Sequence, residues 1–191
     1  RKQMAGITDV LMVTTLALDP TRPEILYAGT SGGVYKTADA ARSWNAVNAG
    51  LIPPDLVASS RALGVTALAV DPQHPETVYA GTLASLYKTV DGGRVWVRIG
   101  MDLDDQFISV IALDPTRQGI LYVGGRAGIF KSHDGGTTWG ERNNGLTNRN
   151  VLSLAASRVS PALLYAGTNG NGLFRSRNDA TTWESVSLAG R

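Results

Sequence analysis

The sequence predicts an all-β fold built from four copies of one short unit, and three observations lead to this prediction. Tryptophan recurs along the 191-residue chain at positions 44, 96, 139 and 183, which are steps of 52, 43 and 44 residues. Each copy contains short runs of β-branched and aromatic residues bounded by Gly, Pro and Asp, the pattern of strands joined by tight turns. No stretch sustains the 3.6-residue apolar period of an amphipathic helix.

The first unit shows how each strand is predicted. Residues 14–18, 25–30, 33–37 and 43–47 form four apolar runs, separated by Asp-Pro-Thr-Arg-Pro, Ser-Gly and Ala-Asp-Ala-Ala-Arg. Four-stranded units that recur at about 43 residues are typical of β-propeller blades, whose twisted antiparallel sheets pack around a central axis. An insertion around residues 52–64 accounts for the long first step. We therefore predict a single propeller domain or segment, with innermost first strands and blades at approximately 9–50, 60–100, 106–146 and 149–190.

The ends of the sequence bear on how the blades close. Gly6-Ile7-Thr8 matches Gly145-Leu146-Thr147, which follows the last strand of the third unit, so residues 1–8 resemble the tail of a preceding blade. The four blades are then either a small complete ring or an arc of a larger propeller. An arc would expose two apolar blade faces, and we expect such a chain to associate with itself or with further sequence.

Composition excludes several classes of function. The chain has 18 Lys and Arg against 16 Asp and Glu, a net charge of +2, which is too small for a surface that follows nucleic-acid phosphates. It has no Cys, and hence no disulfide and no thiolate metal site. Its two histidines, His74 and His133, lack metal-ligand spacing, and no apolar run approaches the roughly 18 residues of a membrane span. We therefore predict no cofactor, no metal site, no nucleic-acid partner and no transmembrane segment.

The most specific motif is Ser132-His133-Asp134-Gly135-Gly136-Thr137-Thr138-Trp139, and related segments stand at the same place in the other units. A carboxylate two residues after a hydroxyl can accept the free N–H groups of a tight turn, and Gly tolerates the positive φ of that turn. The Trp that follows is expected to pack between sheets. The residues that mark these segments are Asp39 and Trp44, Asp91 and Trp96, Asp134 and Trp139, and Asn178 and Trp183, with Asn in the Asp position of the fourth unit.

These segments resemble the Asp-box (BNR) repeat. With the preceding Leu/Ile-Ala-Leu/Val-Asp-Pro and Leu-Tyr-Ala-Gly-Thr segments, the whole chain is similar to the propellers of the photosystem II assembly factor-like, sortilin-type and xyloglucan-hydrolase groups. The resemblance implies that the boxes are structural hairpins between the third and fourth strands, away from any active site. It also implies a secreted or periplasmic location, since most of the similar proteins are found outside the cytoplasm. A shared fold does not by itself carry a function.

The aromatic and acidic residues argue against an enzyme. Of the 13 aromatic residues only Phe107 is out of phase with the repeat, which leaves few platforms for a sugar ring. Asp102, Asp104 and Asp105 could supply the two carboxylates of a glycosidase, but three acids in one loop are more often a solvated connector. The resemblance places a catalytic Asp within Gly-Asp-Val/Ile-Gly-Gly of xyloglucan hydrolases, where this chain has Thr30. Sialidases, which share this fold, carry an Arg-Ile-Pro-type motif, and Arg22-Pro23-Glu24-Ile25 has the wrong order for it. We therefore predict no catalytic residues.

Loops that depart from the repeat are the predicted binding sites, since the repeat itself carries packing. The loops between second and third strands share one face with the loops that lead into the first strands, and the boxes lie on the opposite face. The mixed charges of that first face favour a protein or peptide partner over a sugar. Its candidate partner-binding residues, beside the 52–64 insertion with Asp55 and Arg61, are Asp102, Asp104, Phe107, Arg126 and Arg149.

The predicted function is a non-catalytic scaffold or binding module for protein interaction or complex assembly. Two alternatives stay open at this point: a portion of a glycoside hydrolase or sialidase-like enzyme, and a lectin-like carbohydrate binder. A pair of facing carboxylates with an aromatic shelf would favour the enzyme, and the shelf alone would favour the lectin. A third alternative is that the irregular loops are ordinary surface loops without a partner.

Overall fold

A computed structural model of the protein describes residues 12–51, 64–104, 106–160 and 162–187. These residues form four antiparallel sheets of four strands, and the strands follow one another across each sheet in chain order. Each sheet is one blade, so the all-β class and the four-stranded blades predicted from the sequence are confirmed.

The strand bounds repeat closely from blade to blade. Blade 1 contains β1 (Val13–Leu18), β2 (Leu26–Thr30), β3 (Gly33–Thr37) and β4 (Asn45–Ala46). Blade 2 contains β5 (Val65–Val70), β6 (Val78–Thr82), β7 (Leu86–Thr89) and β8 (Val97–Ile99). Blade 3 contains β9 (Ile108–Leu113), β10 (Leu121–Gly125), β11 (Gly128–Ser132) and β12 (Gly140–Glu141). Blade 4 contains β13 (Val151–Ala156), β14 (Leu164–Thr168), β15 (Leu173–Ser176) and β16 (Glu184–Val186).

Two features differ from the sequence prediction. Strand β4 is shorter than the predicted 43–47, because the amide of Ser43 donates to Asp39 Oδ1 at 2.9 Å and so belongs to the preceding turn. A 3-10 turn at Met101–Leu103 follows β8, and the apolar pattern did not indicate it. Residues 52–63 of the predicted insertion, with Asp55 and Arg61, lie outside the described residues.

The blades pack in succession through their innermost strands, β1 against β5, β5 against β9 and β9 against β13. Among the described residues β13 and β1 share no comparable packing, so the four blades are arranged as an arc. A hydroxyl in each of the first three inner strands donates to a backbone carbonyl of the next inner strand. The pairs are Thr14 with Val65, Thr66 with Ile108, and Ser109 with Val151.

The end of the arc at blade 1 differs from its middle. Leu68 of β5 and Ile111 of β9 are each 8% exposed, whereas Leu16 at the same position of β1 is 60% exposed. Leu18, two residues further on, is 53% exposed. The face of blade 1 that points away from blade 2 therefore presents apolar side chains to solvent.

The glycine of the repeated Tyr-Ala/Val-Gly step sets how closely neighbouring blades approach. A Cβ on Gly29 would lie 2.7 Å from Val65 Cγ1, and a Cβ on Gly81 would lie 2.6 Å from Ile108 Cγ2. Both distances are shorter than the van der Waals contact of two carbon atoms, so a side chain at either position would clash with the next blade. The second strand of one blade thus lies directly against the inner strand of the next, and the apolar core is buried at these junctions.

Candidate functional site

The blades present two faces that are built differently. The turns between third and fourth strands and the Asp-Pro corners between first and second strands lie on one face, which we call the box face. The turns between second and third strands and the segments that lead into the first strands lie on the other, which we call the loop face.

Asp134 closes the third box by hydrogen bonds within the turn. Its Oδ1 accepts hydrogen bonds from Ser132 Oγ at 2.7 Å, Thr137 N at 3.0 Å and Thr138 N at 2.9 Å. Its Oδ2 accepts a hydrogen bond from Thr138 Oγ1 at 2.7 Å. These bonds, first those from Thr138, hold the pKa of the Asp134 carboxyl well below its usual range. The carboxylate is therefore committed to the turn.

The other boxes reproduce this arrangement. Hydrogen bonds from Ser43 and Thr37 lower the pKa of Asp39 to about 2. In the fourth box Asn178 Oδ1 accepts the amide of Thr182 at 2.9 Å, so an amide oxygen replaces the carboxylate. Asn178 Nδ2 donates to Thr182 Oγ1 at 2.8 Å, so the change to Asn keeps the acceptor of the turn amide, removes the charge and reverses the bond to the hydroxyl.

The tryptophans that follow the boxes serve two kinds of contact. Trp96 donates from Nε1 to the carbonyl of Val47 in the preceding blade at 2.7 Å, and Trp183 donates to the carbonyl of Arg142 at 2.8 Å. Trp139 donates instead to a carbonyl of its own box at 3.0 Å. The described blades are thus joined across two junctions by an indole hydrogen bond, and Trp139 is turned onto its own turn.

A tyrosine and a lysine link blade 1 to the box of blade 2. Lys36 Nζ lies 5.1 Å from the centre of the Tyr27 ring and donates to the carbonyl of Gly92 at 2.9 Å. Tyr27 OH donates to the same carbonyl at 3.3 Å. Beside them Arg22 donates to the carboxylate of Glu76 in blade 2 at 2.6 Å. This junction therefore combines a backbone acceptor with an ion pair.

Blades 3 and 4 are joined by a carboxylate. Asp179 lies in the fourth box and accepts hydrogen bonds from Arg117 at 2.8 and 3.1 Å, and also from Lys131 and Tyr122. Burial raises the pKa of Asp179, but the hydrogen bonds from these three donors outweigh burial and hold it well below its usual range. Lys131 is 3% exposed, so Asp179 supplies the counter-charge that its buried ammonium requires.

On the loop face, Asp104 is held by neighbours that the sequence did not single out. Its carboxylate forms an ion pair with Arg98 and accepts a hydrogen bond from Ser85 Oγ at 3.4 Å. The 3-10 turn before it exposes Asp102 and leaves Met101 77% exposed. Asp102, Met101 and Arg98 share a shallow pocket of about 280 Å³ at the outer edge of the blades. Arg98 could not be predicted from the sequence, because nothing in its strand marks it as the partner of Asp104 in the following loop.

Phe107 and Arg126 are in direct contact. The guanidinium carbon of Arg126 lies 4.3 Å from the centre of the Phe107 ring, and the amide of Arg126 donates to the carbonyl of Gln106 at 3.3 Å. Phe107 has a φ of 49°, in the left-handed region that non-glycine residues seldom adopt. Its backbone lies close against Gly125, where a Cβ would lie 2.3 Å from the Phe107 carbonyl oxygen.

Arg149 stands apart from this pair. It lies 3.9 Å from the carboxylate of Glu141 and is exposed. Next to it Asn148 donates to the carbonyl of Asn169 at 2.7 Å, which ties the entry into blade 4 to the β14–β15 turn. Of the five predicted residues, the structure thus brings Phe107 and Arg126 into contact and places Asp104 with Arg98. Asp105 lies outside the described residues.

Concave surfaces are also found away from the loop face. At the box-face end of the axis a pocket of about 320 Å³ is lined by apolar residues of all four blades, among them Leu18, Val70 and Leu113, with Arg158 at its rim. The described residues contain no group of three or more His, Asp or Glu side chains placed to hold a metal ion. A helix with the length and apolar character to cross a membrane is likewise absent from the described part of the chain.

Comparison of the sequence with known proteins gives one partial relative. No family model matches the chain. A stretch of 88 residues, 44% of the chain, is 39% identical to a "probable oligoxyloglucan-reducing end-specific xyloglucanase" of Neosartorya fischeri. That stretch covers 10% of the relative, so the similarity concerns a small part of a much longer protein.

Solved structures extend the comparison to the whole chain. The GH74 xyloglucanase from Xanthomonas campestris matches with a TM-score of 0.77 and 21% identity, over 99% of this chain and 32% of its own. YCF48 bound to D1 peptide matches with a TM-score of 0.63 and 17% identity, over 92% of this chain and 54% of its own. The extracellular domain of a one-component system from B. thetaiotaomicron matches with a TM-score of 0.70 and 16% identity, over 98% of this chain and 23% of its own.

These matches define the chain as a set of β-propeller blades similar to those of xyloglucanases and of YCF48. The resemblance predicted from the box motif and its flanking segments is thereby confirmed. The chain spans about a third of the xyloglucanase and about half of YCF48. At these sequence identities the structural likeness concerns the fold.

Proposed function

We propose that the chain is a non-catalytic propeller module that binds a protein or peptide through its loop face. The observation that carries the proposal is the contact of Phe107 with Arg126, formed at a strained backbone position. The other described non-glycine residues with positive φ all lie in boxes, where the turn itself explains them: Ala40, Ala41, Asp179 and Ala180. Strain outside a repeated turn persists where the surroundings fix it, and it concentrates at binding sites.

The surroundings of this pair have the composition of a protein interface. Aromatic and Arg side chains are the residues that most often dominate binding energy, and they work best with a polar rim around them. Here the exposed Met101 and Asp104, which forms an ion pair with Arg98 of β8, belong to the same loop as Phe107. YCF48, a propeller of similar fold, has been solved bound to D1 peptide, which supports a peptide as the kind of partner.

The second candidate function is a portion of a glycoside hydrolase, and the 39% identity to a xyloglucanase over 88 residues favours it. The position predicted to carry a catalytic Asp argues against it. Thr30 is fully buried there, donates from Oγ1 to the carbonyl of Gly33 at 2.8 Å and accepts the amide of Gly32 at 3.0 Å. Its hydroxyl closes the β2–β3 turn, and a hydroxyl cannot replace a carboxyl group as general acid or base.

The carboxyl groups with displaced pKa values also favour the binding function. In the part of the chain that the structure describes, these pKa values are all lowered, for Asp19, Asp39, Asp91, Asp114, Asp134, Asp179 and Glu184. A glycosidase needs a general acid whose pKa is raised toward neutrality. These groups are shifted in the opposite direction.

A pull-down from the native source with a matched pair of variants tests the proposal. The double variant Phe107→Ala/Arg126→Ala removes an aromatic and an arginine from the loop face. Val90→Ala/Arg94→Ala removes an apolar side chain and an arginine, both exposed, from the box face. We expect the first variant to remain folded and to lose specific partners, and the second to keep them. Identical captured proteins for wild type and the loop-face variant would contradict the proposal.

The enzymatic alternative has its own measurement. Incubation with xyloglucan oligosaccharides, followed by analysis of reducing ends, would show turnover if the chain carries a complete active site. We expect no turnover by the chain itself. Turnover that survives Phe107→Ala/Arg126→Ala would replace the binding function with the catalytic one.

An extracytoplasmic location is part of the proposal. It is supported by the structural similarity to an extracellular domain. Fractionation of cells that express the native gene with a C-terminal tag tests it, and recovery in the cytoplasmic fraction alone would contradict it.

A further inference from the structure

Two of the three blade junctions place a carboxylate beside a lysine, and they do so from different positions. In the junction of blades 1 and 2, Glu76 stands over Gly92: a Cβ on Gly92 would lie 2.2 Å from Glu76 Oε2 and 2.8 Å from Lys36 Nζ. In the junction of blades 3 and 4 the box residue itself is acidic, and Asp179 receives Lys131. The carboxylate thus comes from the Asp-Pro corner in one junction, at the position of Glu76 (the corner position), and from the box in the other, at the position of Asp179 (the box position).

The junction of blades 2 and 3 has glycine at both positions. Gly119 occupies the corner position of Glu76, and Gly135 occupies the box position of Asp179. The backbone fixes this equivalence, since the amide of the box residue donates to the carbonyl of the corner residue in both blades: Gly92 to Glu76 at 2.9 Å and Gly135 to Gly119 at 3.0 Å. Neither position supplies a carboxylate here.

The donors of this junction are nevertheless retained. Lys88 Nζ lies 5.4 Å from the centre of the Tyr79 ring and donates to the carbonyl oxygen of Gly135 at 3.1 Å, and Tyr79 OH donates to the same oxygen at 3.3 Å. A Cβ on Gly135 would lie 3.1 Å from Lys88 Nζ and 3.7 Å from Tyr79 OH, so the space above this glycine faces both groups. It forms a pocket of about 480 Å³, open to solvent, and His74 lines it at the position of Arg22 and Arg117.

We infer that this pocket binds a carboxylate group, which accepts hydrogen bonds from Lys88, Tyr79 and His74 as Asp179 does from its own three donors. The carboxylate belongs either to a small organic acid or to an Asp or Glu side chain of a partner. The Lys88 ammonium has further N–H donors, and the Tyr79 hydroxyl can turn from its 3.3 Å bond to the Gly135 carbonyl toward a carboxylate, as Tyr122 bonds Asp179. A carboxylate suits these donors because hydrogen bonds to ionised groups are the stronger ones. The site goes beyond the loop-face binding function, since it lies on the box face.

Two carboxylates of the chain also line this pocket, and both are already committed. Asp71 Oδ1 accepts the amides of Gln73 at 2.8 Å and His74 at 3.2 Å, and its Oδ2 lies 3.8 Å from His74 Nδ1. Asp134 accepts the amides of its own box. The equivalent Asp19 and Asp91 flank the junction of blades 1 and 2, where the carboxylate of Glu76 is nonetheless present.

Titration of isotope-labelled protein with acetate, followed by NMR, tests the inference. At constant pH and ionic strength, we expect acetate to shift the amide signals of Gly119 and Gly135 and the ring signals of His74 along saturable curves. Acetamide has the same shape without the charge, and we expect it to leave these signals in place. Equal shifts with acetate and acetamide would overturn the inference.

Matched variants locate the effect. Lys88→Met should weaken acetate binding at least about tenfold, because it removes the charged donor. Lys36→Met changes the equivalent residue where Glu76 already supplies the carboxylate, and acetate binding should be unchanged. Gly135→Asp places an Asp at the position that Asp179 occupies in blade 4, and the φ values of the two positions are similar, 72° and 62°. The new carboxylate should occupy the pocket, so the folded variant should not bind acetate. Retained binding in either Lys88→Met or Gly135→Asp would overturn the inference.

A second titration separates the two sources of the carboxylate. Succinate serves as the free acid, and the blocked peptide Ac-Gly-Glu-Gly-NH2 serves as the acidic side chain, with Ac-Gly-Gln-Gly-NH2 as its control. Tighter binding of succinate assigns the pocket to small acids, and tighter binding of the Glu peptide assigns it to a partner. Binding of the Gln peptide as tight as that of the Glu peptide would contradict the recognition of a carboxylate.

Discussion

The box face and the loop face of this protein are built from opposite kinds of contact. On the box face most polar groups are bound within a few residues or at repeated positions of the next blade, as Asp134 is to Thr137 and Thr138. On the loop face a threonine hydroxyl closes the turn between second and third strands in blades 1, 2 and 4, but the contacts between Phe107 and Arg126 and between Asp104 and Arg98 occur once.

This difference teaches where stability and recognition reside. A contact that recurs in each blade must serve something that every blade needs, which is closure of a turn or packing on a neighbour. A contact that occurs once serves something that the molecule needs once. We therefore expect substitutions of the repeated box contacts to change stability, and substitutions of the single loop-face contacts to change binding of the loop-face partner.

The largest effect on stability is expected at Asp179. Asp179→Asn keeps the size of the side chain but removes the counter-charge of the buried Lys131, and should lower the free energy of unfolding by about 2–3 kcal/mol. Urea denaturation measures it. The control is Glu184→Gln, which breaks an exposed ion pair with Arg175 and should change the midpoint little. Equal midpoints for the two variants would contradict the central role of the blade 3–4 junction.

Lowering the pH should destabilise the junction of blades 3 and 4, because it protonates Asp179. The pKa of Asp179 is lowered from 3.8 in the folded state, and that of Asp39 is lowered from 3.8 to about 2. A lowered pKa contributes stability that is complete above the unfolded value and is lost as the pH falls through the folded value. The urea midpoint should therefore fall from about pH 4 downward toward pH 2. Asp179→Asn should lose less than wild type over this range, and parallel curves would refute the assignment.

A smaller effect is expected within a single box. Asp134→Ala removes the acceptor of two turn amides and two hydroxyl groups, and should lower the melting temperature by several degrees. Asp102→Ala changes an exposed carboxylate on the loop face and should leave the melting temperature unchanged. Differential scanning calorimetry of the two variants tests whether the faces differ as described. A melting temperature that drops equally in both would show that they do not.

The smallest effect on stability is expected at Phe107. Phe107→Gly relieves the left-handed backbone while it removes the ring, and the two effects should offset each other to within about 0.5 kcal/mol. Partner binding should nevertheless be lost, because the aromatic anchor is gone. Phe107→Leu keeps the strained backbone and should be the less stable of the two. A variant that binds normally as Gly would show that the ring does not contact the partner.

Most of the fold could be predicted because its signals are local. The strands are marked by residues next to one another, and the boxes by a hydroxyl, an acid, glycines and a tryptophan within eight positions. The role of Asp179 could not be predicted, because its three donors stand 48 to 62 residues earlier and meet it only when blades 3 and 4 pack. In the sequence it was merely an acid in a drifted box.

The candidate site was predictable in part for the same reason. Phe107 stood out as the aromatic that breaks the repeat, but neither its φ of 49° nor the 3-10 turn before it has a local signal. Arg98 sits in an ordinary strand, and its partnership with Asp104 depends on how the turn folds back. Departure from a repeat therefore identifies the region, and tertiary contacts decide which of its residues face one another.

The exposed side of blade 1 differs from the exposed side of blade 4. Each blade packs the side that carries its repeated tyrosine, which we call the tyrosine side, against the next blade. Leu16 and Leu18 lie on the other side of blade 1, which corresponds to the sides of blades 2 to 4 that contact the preceding blade. Blade 4 ends the arc with the other, tyrosine-bearing side, which includes Tyr165 and Arg175 at the positions of Tyr27 and Lys36. The exposed sides of blades 1 and 4 are therefore different, and they correspond to the two sides that meet at each junction between blades. Copies that join through them would add head to tail, which gives growing filaments or closed rings, the smallest of which is a two-fold ring of two copies around the propeller axis.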